Sequence, residues 1–152
     1  MNWEKHDEHN EYVVYTLSAA SGEEADVRAA IAEAVAEMCR IADANVAPDI
    51  QVVLFEWDAV YATLTVVFTT LGRTKDARDV LKVFVPSWEE DAAQLSEDAQ
   101  LEIWDERQGL VRAWVRRALR LPQVQACLTS LAARGVAPAF TAEHHATEFE
   151  PL

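Results

Sequence analysis

Three groups of residues in this chain are of types that can do chemistry, and their spacing decides which chemistry. Glu56 and Asp58 flank Trp57, two residues apart. Residues at that spacing share one face of a strand, and a carboxylate pair performs acid–base work when its environments split the two pKa values. A hairpin end leaves such carboxylates hydrated, which weakens that role. His6, His9, His144 and His145 lie near the two ends of the chain, within HDEH and EHH. Imidazole and carboxylate donors of this kind suit zinc, yet polar termini are seldom ordered unless tied down, so solvated tails are the simpler reading. With every histidine near an end, a Ser-His-Asp or Cys-His mechanism lacks an obvious base. The sequence contains no GxGxxG, P-loop, CxxC or HExxH. It therefore assigns no catalytic residue, no metal and no cofactor.

The third group is RQGLVRAWVRRALR, residues 107–120, which holds five arginines in a chain of net charge −13. Placed on a helix, Leu110, Val111, Trp114, Ala118 and Leu121 fall on one arc, and Arg112, Arg116 and Arg120 fall on the opposite one. Asp98, Glu102 and Asp105 lie upstream on that outer face. Acid near the start and base near the end suit the helix macrodipole. No acid in this segment stands four residues before any of these arginines, so the usual intrahelical ion pairs are missing. The first reading is a solvated face arranged to suit its helix; the second is pairing with carboxylates elsewhere in the fold or in a second subunit, and an anionic ligand is weaker still. Arg107 is awkward, because an unbroken helix puts it on the apolar arc. Either the helix breaks near Gly109 or Arg107 is paired at the edge of the core.

The elements that must position these residues follow from pattern. EYVVYTL, residues 11–17, reads as a strand. Ser21 and Glu24 form a capping-box pattern, and Val27, Ile31, Ala34, Val35, Met38 and Ala42 then repeat at helical spacing. IQVVLFEW, residues 50–57, VYATLTVVFTT after a hairpin at Asp58 and Ala59, and DVLKVFV, residues 79–85, read as three more strands. Ser87 and Glu90 repeat the capping-box pattern, opening a helical region over about 88–121 that is open to interruption near Gly109. Pro122 starts a further helix, with Val124, Cys127, Leu128 and Leu131 as its stripe and Gly135 as its stop. The expectation is an α+β fold: a mainly antiparallel four-stranded sheet packed with three helices, in the order β-α-β-β-β-α-α. Residues 1–152 form one domain, with loose ends at 1–10 and 136–152.

Composition narrows the function classes. At 152 residues and 51% hydrophobic content the chain can bury a core without staples. Its apolar runs fall short of the about 18 residues a membrane helix needs, and its start has neither a basic n-region nor an apolar h-region. Cys39 and Cys127 read as reduced thiols. These features point to a cytoplasmic protein. With 26 acidic against 13 basic residues, nucleic acid is a poor partner, because that association relies on cations displacing counterions. Negative charge instead steers toward a basic protein.

Two surfaces are the binding candidates. One is the acidic stripe of the first helix, Asp26, Glu33 and Glu37, supported by Glu23. The other is a sheet face carrying Val53, Phe55, Trp57, Tyr61, Thr63, Thr65 and Val67, which is an interaction patch if all helices cover the opposite face; the competing reading is burial beneath the helices or in a homodimer. The resulting expectation is a small acidic binding protein that occludes a basic partner surface, with Phe55, Trp57 and Tyr61 as aromatic anchors and Arg112, Arg116 and Arg120 as further contact residues. In size and charge the chain resembles inhibitor and immunity proteins. A secretion-chaperone-like protein holding a client along apolar grooves is the second reading, and an enzyme using Glu56 or Asp58 is the third.

Overall fold

A computed structural model describes residues 3–8, 13–44, 49–69, 79–142 and 150–152. The elements run β1 (Glu4–Glu8), β2 (Val13–Ser18), α1 (Glu24–Ala44), β3 (Val52–Asp58), β4 (Thr63–Thr69), β5 (Asp79–Phe84), α2 (Pro86–Ala93), α3 (Glu97–Leu119), α4 (Pro122–Ala133), β6 (Ala137–Ala142) and β7 (Glu150–Pro151). They build an α+β fold with one mixed sheet in the order β1-β2-β5-β4-β3-β6-β7. The three-stranded centre β5-β4-β3 is antiparallel, whereas β2 joins β5 and β6 joins β3 in parallel. Both parallel partners reach the sheet through helical connections, as parallel pairing requires.

Among the described residues there are thus seven strands in place of the expected four, and four helices in place of three. The four expected strands are β2 to β5. The additions lie at the two ends, in segments that read as loose tails. β1 pairs antiparallel with β2, and β6, APAFTA, runs along β3. β6 lacks a strand signature because alanine and proline are poor strand formers. Its register explains why Pro138 is accommodated. Ala137 N–H donates to the Gln51 carbonyl, so the Pro138 nitrogen points away from β3, toward the side where its carbonyl accepts from Leu152 N–H.

The helical region also divides differently. It breaks at Gln94–Ser96, and α3 runs unbroken through Gly109. Ser96 is the cap of α3, its hydroxyl accepting from Ala99 N–H at 3.3 Å. The Ser87–Glu90 capping box does not form; Val85 is the N-cap of α2, Pro86 occupies its first turn, and no side chain caps it. At α1, Ser21 does serve the helix start. Its oxygen accepts from Glu23 N–H at 3.0 Å and its hydroxyl donates to Asp26 at 2.6 Å.

All four helices cover one face of the sheet. Val53, Phe55 and Trp57 of β3, Leu64 and Val66 of β4, Leu81 and Val83 of β5, and Phe140 of β6 form one cluster with Ile31, Val35 and Met38 of α1, Val111, Trp114 and Val115 of α3, and Leu131 of α4. The opposite face carries Val52 and Leu54 of β3, Val67 of β4 and Ala139 of β6, together with Thr63 and Thr65, which alternate with the core residues of β4. Among the described residues, no helix long and apolar enough to cross a membrane is present.

The candidate sheet face is therefore two faces. The β3–β4 register pairs Val53 with Phe68, Phe55 with Val66 and Trp57 with Leu64. Directly paired residues share a face, so Phe55 and Trp57 point into the core, and Thr63, Thr65 and Val67 point out of the other side. The expected two-residue connection at Asp58 and Ala59 is a four-residue turn, 59–62. Turns of two and of four residues both pair Trp57 with an even-numbered residue, so the face of Trp57 is that of Leu64 and Val66 in either case.

Candidate functional site

The arginines come first, because the chain supplies partners for three of the five. Arg107 is buried in the middle of α3. Its Nη1–H donates to the Trp88 carbonyl at 2.7 Å, and its guanidinium stands 4.7 Å from the centre of the Trp88 ring. Burial lowers its pKa from the ordinary arginine value, against the nearby Asp91 and Glu106 carboxylates, which raise it. Arg107 is thus paired on the core side of an intact helix. Arg112 and Arg116 both hold Glu150 at the chain's C-terminal end, Arg112 at 3.2 Å and Arg116 at 2.5 Å. Neither Arg117 nor Arg120 has a carboxylate within ion-pair distance among the described residues. Arg120 instead lines a recess of about 360 Å³ with Arg116, Leu128 and Pro138.

Trp88 is the hub that fixes α2 against the sheet. Its ring stands edge-on to Trp57 at 6.1 Å and 89° and lies 6.2 Å from Trp114. Its indole N–H donates to the Gly22 carbonyl at 2.9 Å. Gly22 permits that approach, since a Cβ there would sit 2.5 Å from the Ser87 hydroxyl and 2.8 Å from the Trp88 ring.

The α1 stripe is largely engaged within the chain. Asp26 is half-buried and accepts from Ser21, and Glu37 pairs with Arg40 on its own helix. Glu33 is half-buried, and Glu23 is exposed. Phe55 and Trp57 are buried within the core, which removes them as exposed anchors. Tyr61 is 61% exposed on the β3–β4 turn.

Glu56 and Asp58 share the helix-free face of β3, as their spacing requires. Asp58 is committed to the turn, its Oδ1 accepting from Val60 N–H at 3.0 Å and Tyr61 N–H at 3.2 Å. Glu56 lies between Thr65 of β4 and Thr141 of β6. His9, His144 and His145 lie outside the described residues, as does the side chain of His6, so the terminal metal reading cannot be placed on the fold. Among the described residues no cluster of metal-ligating side chains occurs.

A surface that the pattern reading passed over stands out once the helices are in place. Residues 86–106 contain eight acidic residues and no basic one. On this stretch Glu90, Asp91, Glu97, Asp98, Glu102, Asp105 and Glu106 are all exposed, and Leu101 at 62% and Leu95 at 39% are exposed among them. The Tyr61 turn belongs to the same end of the molecule, because Val85 N–H, at the start of α2, donates to the Ala62 carbonyl at 3.0 Å. The signal was available as an uninterrupted acidic run. It was hidden because one continuous helix would have dispersed those acids along a single outer face, whereas the break at Ser96 folds them around a corner.

The helices also leave a shallow groove of about 340 Å³ between α1 and α3, lined by Ala25, Ala29, Ala32, Trp114, Ala118 and Leu121, with Arg28 and Arg117 at its margins. No protein-family model matches the chain, and neither a curated protein nor a solved structure matches it.

Proposed function

We propose that this chain is a non-catalytic protein-binding module that docks its acidic end on a basic partner and acts by occlusion, as inhibitor and immunity proteins do. The observation that carries this reading is the α2–α3 corner, where exposed carboxylates flank two exposed leucines along the chain. Carboxylates around apolar anchors are the arrangement that gives fast, charge-steered encounter followed by desolvation at a few side chains. Glu33, on α1, adds to the same negative field. Phe55 and Trp57 support the corner from the core and do not touch the partner. The test is capture of binding proteins from the source cell by the wild type and by the Glu90→Gln/Asp91→Asn/Glu97→Gln variant. The reading expects a basic protein that the wild type retains, that salt releases and that the neutralised variant fails to hold. Retention of the same protein by both, with no salt effect, removes the corner from the interface.

The α1–α3 groove favours the secretion-chaperone-like reading in one respect, since Trp114 and the alanines offer an apolar floor to a client segment. That reading expects salt-insensitive capture that is lost on Ala29→Glu. The enzymatic reading has less support, because Asp58 is held by the turn it closes.

A further inference from the structure

The outer seam of α3 is antisymmetric about its middle. Gly109 lies at the centre of the seam, and a Cβ there would meet nothing within 4 Å. Asp105 and Ala113 stand one turn to either side, Glu102 and Arg116 two turns, and Asp98 and Arg120 three turns. All of these residues are exposed except Gly109 and Arg116, which are half-buried. The helix macrodipole does not account for the whole pattern, because its influence is confined to the first and last turns, whereas Glu102, Asp105 and Arg112 lie further in. Most of these charges are not consumed within the chain: Asp98, Glu102, Asp105 and Arg120 form no ion pair among the described residues, while Arg112 and Arg116 share the single carboxylate of Glu150.

We propose that this seam is a two-fold interface between two copies of the chain, with the α3 helices antiparallel and the axis passing at Gly109. An antiparallel partner centred there places Asp98 opposite Arg120 and Glu102 opposite Arg116, and the two-fold repeats each pair, making four. The interface is self-complementary in charge, so the same patch serves both copies, while a parallel arrangement sets acid against acid and base against base. Gly109 and Ala113 at the centre carry little bulk, which lets the two helices approach closely. The occupant is a second copy because the charge sequence of this one helix is its own complement. This inference goes beyond the proposed function; the seam takes Asp98, Glu102 and Asp105 of the corner and leaves Glu90, Asp91 and Glu97 to a partner, and the two tests change different residues, so either can fail alone.

The experiment is sedimentation equilibrium of the full chain at low salt and at about 0.5 M salt, where the Debye length falls well below that at physiological ionic strength. The wild type dimerises at low salt, and its dimer weakens as salt rises. Asp98→Arg/Glu102→Arg and Arg116→Glu/Arg120→Glu each raise the dissociation constant by more than about tenfold, since both turn every facing pair repulsive. An equimolar mixture of these two variants forms a dimer with one copy of each, because all four facing pairs are again opposite in sign. Gly109→Glu, whose Cβ meets nothing within 4 Å, gives a folded monomer by circular dichroism. A wild type that stays monomeric at 100-µM-order concentration (about 10⁻⁴ M), charge variants that associate as the wild type does, a mixture that fails to pair, or a Gly109→Glu variant that dimerises unchanged would each overturn the proposal.

Discussion

Replacing Arg107 separates its stem from its charge. Arg107→Met keeps an unbranched apolar side chain on α3 and removes the guanidinium, whereas Arg107→Ala removes both. The charge makes a hydrogen bond to the Trp88 carbonyl at 2.7 Å, and hydrogen bonds from charged groups contribute about 1.5–3 kcal/mol. It also sits over the Trp88 ring, which adds up to about 2 kcal/mol when desolvated. Against these stands the cost of burying a cation, several kcal/mol in effect, which shows in the lowered pKa of Arg107. The gains and the cost nearly cancel, leaving a net loss of about 1–2 kcal/mol for Arg107→Met. The stem packs as an aliphatic chain, so Arg107→Ala forfeits about 2 kcal/mol more, at about 0.8 kcal/mol per methylene. For a chain of this length each kcal/mol moves Tm by about 2–4 °C.

The assay is thermal and urea unfolding followed by tryptophan fluorescence, to which Trp57, Trp88 and Trp114 report directly. The pH dependence has a definite sign. Because the folded pKa lies below the unfolded one, the cost of the charge is present at every pH below the folded value. Stability then rises only as pH climbs through the strongly alkaline window between that value and the ordinary arginine pKa. The difference between wild type and Arg107→Met is therefore flat across neutral pH. A methionine variant that melts at or above the wild-type temperature would refute the reasoning, since it would mean that the guanidinium is tolerated and not used.

Other perturbations follow from the same packing. Gly22→Ala drives a methyl group against Ser87 and the Trp88 ring and costs about 1–3 kcal/mol, read as a lowered urea midpoint with unchanged slope. Ser96→Ala removes the cap that starts α3 and costs about 1 kcal/mol by the same measurement, while Ser87→Ala, which removes a buried hydroxyl without a hydrogen-bond partner among the described residues, costs less than Ser96→Ala. Glu150→Gln releases Arg112 and Arg116 at a surface site and lowers stability by less than about 1 kcal/mol, an effect that shrinks in high salt.

Much of the central fold was legible in the sequence, because its elements carry their own periods. Val27, Ile31, Val35 and Met38 announce α1, and the alternation of β4 puts Leu64, Val66 and Phe68 on the buried side as its pattern requires. The outer strands were illegible for a physical reason. β6 is held by backbone pairing to β3 rather than by strand-forming side chains, and a parallel partner 80 or so residues away leaves no local mark. The grouping of Trp57 with Thr63 and Thr65 fails on parity: turns of two and of four residues both set Trp57 on the face of Leu64 in the core, while Tyr61 belongs to the turn itself. The arginines divide along similar lines. That Arg107 must be paired at the core follows from its position on the apolar arc, but its partner, a main-chain carbonyl 19 residues earlier, depends on where α2 ends. Glu150, the carboxylate that answers Arg112 and Arg116, stands in a stretch with no periodic signal at all.

The account turns on whether the α2–α3 corner is what a partner meets. Its most direct test is the association rate of a captured partner, measured against ionic strength for the wild type and for Glu90→Lys/Asp91→Lys/Glu97→Lys. The account predicts a wild-type rate that falls steeply with salt and a reversed variant that associates far more slowly at low salt, the two converging as charges are screened. Equal rates for both proteins at every salt concentration would contradict it.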